Sequence, residues 1–316
     1  MKKRLLVLLL FMLLILFMTY RFELNGGNKD KNRLFTSIFT SLVSKPLNEK
    51  KEEHYVNKNS IISVKELKKN IEKEKVELIA ITEGNIFKEF IPDSSQITLS
   101  DITTTRNNID GLIASREKIE SLLSKKGLEE SDTIVVYDEN QSLYAARLWW
   151  TLKAYGHADV KLLNGGLKEW KNQGYETVSV PKIERKSNYK ATPLNEEMIA
   201  SLEDIKNSLN NKEERVVDVR TKKEYNNGHI PGAVNVPWSQ TLNDDGTFKK
   251  ASELRKLYRT KGITQELESI YTQCTKGVRA SHTYFVLSEL LGYNQAKVYD
   301  GSFKEYSKSG LPIEKD

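Results

Sequence analysis

Residues 160–176 recur, without a gap, as residues 296–312, a shift of 136. Under that shift Asn164 falls on Asp300, Gly165 on Gly301, Lys168-Glu169 on Lys304-Glu305, Trp170 on Tyr306 and Gly174 on Gly310. The same shift carries Val135-Val136-Tyr137 onto Tyr271-Thr272-Gln273 and Gly156 onto Gly292. A repeat of this length constrains the fold more tightly than composition does, because it requires two copies of one structural plan. The 316 residues leave room for two domains of ordinary size and some flanking chain.

From Ile61 onward, short β-branched runs alternate with helical periodicity. This is the pattern of an α/β fold, with a central, mostly parallel sheet flanked by helices in each copy. Strands are expected at 76–81, 133–137, 160–163, 215–219, 269–272 and 297–299. Helices are expected at 64–71, 113–123, 142–155, 198–209, 253–258 and 279–291, with Ser63 and Glu66 forming a capping box at the first. The copies are placed at 59–182 and 183–316.

Ahead of them, Lys2, Lys3 and Arg4 precede an unbroken apolar run from Leu5 to Met18. The sixteen residues to Tyr20 would rise about 24 Å as a helix, slightly less than a hydrocarbon core of about 30 Å. Residues 1–22 are therefore read as a signal segment, preferably an uncleaved anchor, since no small-x-small cleavage site follows. The positive flank stays inside. The folded part is then expected outside the cytoplasm, held at the cell membrane, or secreted or periplasmic if the segment is cleaved. Residues 23–58, rich in Asn, Lys and Glu, read as a polar tether. A mean hydropathy of −0.54 excludes a polytopic membrane protein. The net charge of +6 is spread as mixed Lys and Glu without a basic stripe, which argues against a nucleic-acid partner. The membrane is expected to be met only through the N-terminal segment.

There is a single cysteine, Cys274, so an intrachain disulfide and a structural zinc site built on several thiolates are both excluded. The four histidines, His54, His157, His229 and His282, are too scattered for a ligand cluster, and no metal or cofactor is expected. Under the shift of 136, Cys274 falls on Asp138: one copy carries a thiol where the other carries a carboxylate. The local order is strand, then Cys274-Thr275-Lys276-Gly277-Val278-Arg279, then helix. A cysteine there sits at the carboxyl end of a parallel strand and faces the N–H groups of a turn and a helix N-terminus, which favour a thiolate. Lys276 and Arg279 add positive charge for an anionic substrate, and Gly277 lets the turn close. The alternative, an inert buried thiol, has no need of two cations and a glycine so close by. His282, on the following helix, is expected to be a surface or packing residue.

These residues resemble the tandem-domain rhodaneses, or thiosulfate sulfurtransferases, from about Ile61 to Asp316. In the second copy the resemblance rests on Val217-Asp218-Val219-Arg220, Glu224-Tyr225, Gly228-His229-Ile230-Pro231-Gly232-Ala233, Asn235, Pro237-Trp238, the Cys274–Arg279 loop and Tyr299-Asp300-Gly301-Ser302. In the first, Val136-Tyr137-Asp138, Ala145-Ala146-Arg147-Leu148-Trp149-Trp150 and Asn164-Gly165-Gly166 are similar to the family's non-catalytic amino-terminal domain.

The resemblance implies ping-pong sulfur transfer through a persulfide on Cys274, from a small anionic donor such as thiosulfate to cyanide or a thiol. It implies a substrate-binding loop of Thr275, Lys276, Gly277, Val278 and Arg279, with Lys276 and Arg279 toward the sulfonate end of the donor. Asp218, Arg220, Glu224 and His229 are expected to support the loop structurally, and the protein to act as a monomer. Four residues separate Cys274 from Arg279, the family's sulfur-sized loop; related phosphatases have one more. Two positions depart from the pattern: Thr275 stands where thiosulfate-specific loops carry arginine, and Glu224 where the vertebrate enzymes carry a substrate-binding arginine. A persulfide carrier or redox-sensing module acting on a protein partner is the alternative reading.

Overall fold

The computed structural model describes residues 54–71, 76–84, 88–183 and 186–316. The expected anchor at 1–22 and all but the last residues of the tether lie outside them. Among the described residues no helix is long and apolar enough to cross a membrane. Both copies belong to one compact unit, Glu52–Asp316.

The first copy runs β1 (Ile61–Ile62), α1 (Val64–Ile71), β2 (Val76–Thr82), β3 (Ser94–Thr98), β4 (Thr103–Arg106), β5 (Ile109–Ile113), α2 (Arg116–Lys125), β6 (Thr133–Tyr137), α3 (Leu143–Ala154), β7 (Val160–Leu163) and α4 (Gly166–Asn172). The second runs β8 (Ile199–Ala200), α5 (Leu202–Ser208), β9 (Glu214–Asp218), α6 (Lys222–Asn226), β10 (Val234–Asn235), α7 (Ala251–Arg259), β11 (Ser269–Gln273), α8 (Val278–Phe285), β12 (Ala296–Tyr299) and α9 (Ser302–Tyr306). Their sheets have the orders β1-β7-β6-β2-β3 and β8-β12-β11-β9-β10. Every pairing within them is parallel. The repeat extends to register: Ile134↔Val160 and Val136↔Leu162 in one copy are Ile270↔Ala296 and Thr272↔Val298 in the other, each displaced by 136. Central strands such as β6 are buried on both faces, which is why they read as continuous apolar runs rather than alternating ones.

Three expected helices end elsewhere. The helix expected at 113–123 starts at Arg116, because Ile113 closes β5 and the Ser115 hydroxyl caps the Lys118 N–H. The one expected at 198–209 starts at Leu202, with Ser201 and Asp204 in a capping box; Ile199 and Ala200 pair as an edge strand with β12. The one expected at 279–291 is α-helical only to Phe285 and continues as a π-turn, Val286–Leu290. That π-turn has a counterpart in the loop before it. The helix cap stands at Gly277 after Cys274 but at Ser142 after Asp138, so the second copy's loop is one residue shorter. Gly156 and Gly292 nevertheless keep the shift of 136, so α8 must absorb one extra residue, and a π-turn does that.

The two sheets are joined by a shared core. Helices α3 and α8 pack against each other, with Trp149 and Phe285 edge to face at 4.9 Å, and one buried apolar cluster includes Ile79 and Ala145 of the first copy and Val217 and Ala280 of the second.

Candidate active site

Cys274 follows β11 directly and is 2% exposed, at the floor of a cleft of about 630 Å³ between the copies. The second copy contributes the loop; the first contributes Glu83, Ser100, Thr103, Thr104, Thr105, Asp110, Gly111 and Tyr144. The loop is pinned from below by Ser302. Its Oγ accepts the N–H groups of Cys274 (3.1 Å) and Gly277 (3.0 Å) and donates to the Tyr299 carbonyl (2.8 Å). The Phe303 N–H donates to the Cys274 carbonyl at 3.0 Å. Gly277 has φ +82°, and a Cβ there would lie 2.7 Å from Asp300 Oδ1 and 2.9 Å from Arg147 Nη1.

The first copy shows what this junction holds. The Asp138 carboxylate, buried like Cys274, accepts N–H groups from Asn140 (2.9 Å) and Ser142 (2.8 Å) on one oxygen and from Tyr144 (2.7 Å) and Ala145 (2.9 Å) on the other. Burial pushes its carboxyl up to about 6 while the four donors pull it down. With four N–H groups donating to its two oxygens, the site is built for the carboxylate form. The strand-to-helix junction is thus an anion cradle in one copy and carries the thiol in the other.

The cations are present but not idle. Arg279 forms a fork with Glu224, 2.7 Å on each side, and donates to Thr275 Oγ1 at 2.7 Å. Burial opposes the Arg279 charge, and Glu224 together with the Cys274 sulfur outweighs it. The Arg279 guanidinium in turn holds the Glu224 carboxyl down at about 2. Lys276 Nζ meets Asp110 Oδ2 at 2.5 Å, and Lys304 meets the other oxygen of the same carboxylate. Beneath Gly277, Arg147 of α3 pairs with Asp300 at 2.7 Å, both buried, and donates to the Gly111 carbonyl at 3.1 Å.

The other expected residues stand one layer back. The Arg220 guanidinium holds Asp218 through Nε and Nη2 (2.5 Å at the closest), donates to the Gly228 carbonyl and stacks on Phe303 at 4.0 Å. His229 stacks on Tyr225 at 3.8 Å and bonds its carbonyl, away from the cleft. His282 is fully buried between Trp238 and Phe248, and burial pushes it down to about 3, which keeps it neutral. Thr275, Lys276, Val278 and Arg279 line the cleft with Cys274. Sequence reasoning gave no role to Asp110, Arg147, Asp300 or Ser302. The hairpin that carries Asp110 did have a signal in Asn107-Asn108, a dipeptide suited to positive φ (+51° and +60° here), between two short β-forming runs.

The family of the Rhodanese-like domain matches residues 63–173 and 201–309. A curated protein named "Putative thiosulfate sulfurtransferase" from Saccharopolyspora erythraea is 40% identical over 217 residues, covering 63% of this chain and 76% of its own length. One of the same name from Haloferax volcanii is 37% identical over 219 residues, covering 64% and 76%. Among solved structures, SseA from Escherichia coli, described as a 3-mercaptopyruvate sulfotransferase, superposes with a TM-score of 0.70 at 22% identity over 78% of this chain and 99% of its own. An anaerobic ergothioneine biosynthesis enzyme from Chlorobium limicola superposes with a TM-score of 0.74 at 20% identity over 83% and 71%. At those identities the likeness to the two structures is one of fold.

Proposed function

The chain belongs to the rhodanese-like family, and on that premise we propose that it is a sulfurtransferase in which Cys274 carries sulfur from thiosulfate, or a similar donor, to cyanide or a thiol. The observation that carries this reading is the thiol's position, on the floor of an interdomain cleft, at the junction where the first copy binds a carboxylate through four N–H groups. The Cys274 thiolate attacks the outer sulfur of thiosulfate; the new S–S bond forms as the old one breaks, and sulfite leaves with the bonding pair. Cyanide then attacks the outer sulfur of the persulfide, releasing thiocyanate and returning the thiolate; a thiolate acceptor leaves as its persulfide. The loop amides and Arg279 stabilise the negative charge at each stage. Lys276 is the cation we assign to the sulfonate end of the donor. Glu224 supports the loop directly through Arg279, and Asp218 and Arg220 support it through Phe303 behind it, while His229 packs on Tyr225 away from it. The 59–182 and 183–316 copies then act as a non-catalytic and a catalytic domain of one monomer, tethered to the cell membrane by residues 1–22 with the cleft outside the cytoplasm. The completeness of the cleft within a single chain and the basic flank of the apolar run support that arrangement.

Thiocyanate production from thiosulfate and cyanide by the wild type, against Cys274→Ser, tests the function. Turnover no higher than in the variant would end the enzyme reading. Mass spectrometry after donor treatment should find an adduct of about 32 Da, one sulfur atom, on Cys274.

A further inference from the structure

Three carboxylates meet four cations at the loop, and they differ in how firmly they are held. Asp300 and Arg147 are buried together. Glu224 and Arg279 form a two-pronged fork, with the arginine side chain 20% exposed. Asp110 is different: it faces Lys276 and Lys304 with all three side chains between 30% and 47% exposed. An ion pair in that setting is weak and exchangeable. Asp110 is also the only one of the three supplied by a hairpin of the first copy.

That hairpin is seated firmly against the loop. Its Ile113 N–H donates to Asp300 Oδ2 at 2.7 Å, and the Gly111 carbonyl accepts from Arg147 at 3.1 Å. A Cβ at Gly111 would lie 3.0 Å from both Lys276 Cβ and its carbonyl, so the backbone is packed directly on the lysine. The Asp110 side chain is thus a fixed anion at the place where the donor's own anionic end would sit.

From this we propose that Asp110 is a specificity-determining residue: an internal counter-anion that a doubly charged donor must displace from Lys276 and Lys304. The inference rests on the sulfurtransferase reading, and it adds that the first copy sets the threshold charge of the donor. Thiosulfate, a dianion, competes for two ammonium groups, while a singly charged or neutral persulfide donor has less to offer in exchange. The first copy, without a nucleophile, would then select the donor by its charge.

The test separates binding from turnover. Thiosulfate is titrated calorimetrically into Cys274→Ser and into Cys274→Ser carrying Asp110→Asn or, in parallel, Asp110→Ser, with thermal unfolding confirming that each variant is folded. Removal of the carboxylate should tighten thiosulfate binding about fivefold, and the gain should shrink when Lys276→Ala is added. Affinity unchanged or weakened in the Asp110 variants would overturn the proposal, since it would make Asp110 a holder of Lys276 rather than a competitor. Because the titration uses an inert background, it is decided independently of whether the wild type turns over.

Discussion

The Ser302 hydroxyl has no part in moving sulfur, yet it determines where the Cys274 loop lies. It is the shared acceptor of two loop N–H groups, and it holds its place with φ at +52°, a conformation that glycine adopts more easily. The first copy does use glycine there: Gly166, φ +57°. Retaining a serine despite the backbone strain makes sense only if the hydroxyl is needed. Ser302→Ala leaves two buried donors without their acceptor. It should cost about 1–3 kcal/mol of stability and, through a displaced loop, lower kcat about tenfold. Urea unfolding and steady-state rates check this, and a variant as stable and as fast as wild type would contradict it. Glu224 gives a pH prediction. Its folded carboxyl lies at about 2, below an ordinary unfolded value of about 4.3. The Arg279 fork therefore contributes in full above that ordinary value and is lost as the pH falls from there toward 2. The urea midpoint of wild type should fall across that window more steeply than that of Glu224→Gln. Equal slopes would show that the fork adds no stability. At this scale the sequence was most readable where chemistry is local: Cys274, Lys276, Gly277 and Arg279 share one short segment. Asp110 and Ser302 act on that segment from positions far along the chain, and no spacing rule connects them to it.

Among the elements, the two strand-to-helix junctions are the same device with different contents. The carboxylate in the first is a built-in occupant of its cradle. Asp138→Asn keeps the shape but turns one acceptor oxygen into an NH2 group facing two backbone donors. That substitution should destabilise the protein by about 2–3 kcal/mol; differential scanning calorimetry measures it, and a midpoint within a degree of wild type would count against the cradle. The second junction keeps a shorter loop, and α8 takes up the spare residue in its π-turn. The parallel strands were legible because burial on both faces leaves an apolar run, and α1 because its periodicity is clear, whereas α3 and α8 are buried on nearly every side. The hairpin of β4 and β5 was not. Its residues are Thr-rich and half exposed, with a register break between Thr104 and Thr105, so neither alternation nor apolarity marks them. It is nevertheless the element that brings Asp110 to the site.

For the whole molecule, the internal repeat implied two copies of one fold, and the sheet orders and registers bear that out. It could not say how the copies face each other, because that depends on side chains outside the repeat. Arg147 is the clearest of these: its helix aligns with α8, where the equivalent position, five residues after the cap, is His282. The guanidinium lies across Trp150 at 4.6 Å, pairs with Asp300 and bonds the hairpin backbone at Gly111, all under the Gly277 turn. One buried ion pair thus ties the first copy's helix and hairpin to the second copy's loop. Arg147→Leu would leave Asp300 buried without its partner, at a cost of about 3–5 kcal/mol, and should reduce kcat as well by loosening the turn beneath Cys274. Replacing both members, Arg147→Leu with Asp300→Leu, removes the stranded charge. Most of the lost stability should return, less about 1 kcal/mol for the Ile113 N–H that Asp300 accepts, while the turnover stays low. Chemical denaturation and thiocyanate assays on the two variants distinguish the parts played by this pair. If the double variant were no more stable than the single one, the cost would come from lost packing around the guanidinium rather than from an uncompensated charge. If turnover recovered together with stability, the pair would serve only to hold the domains together and would have no role in positioning the Cys274 loop.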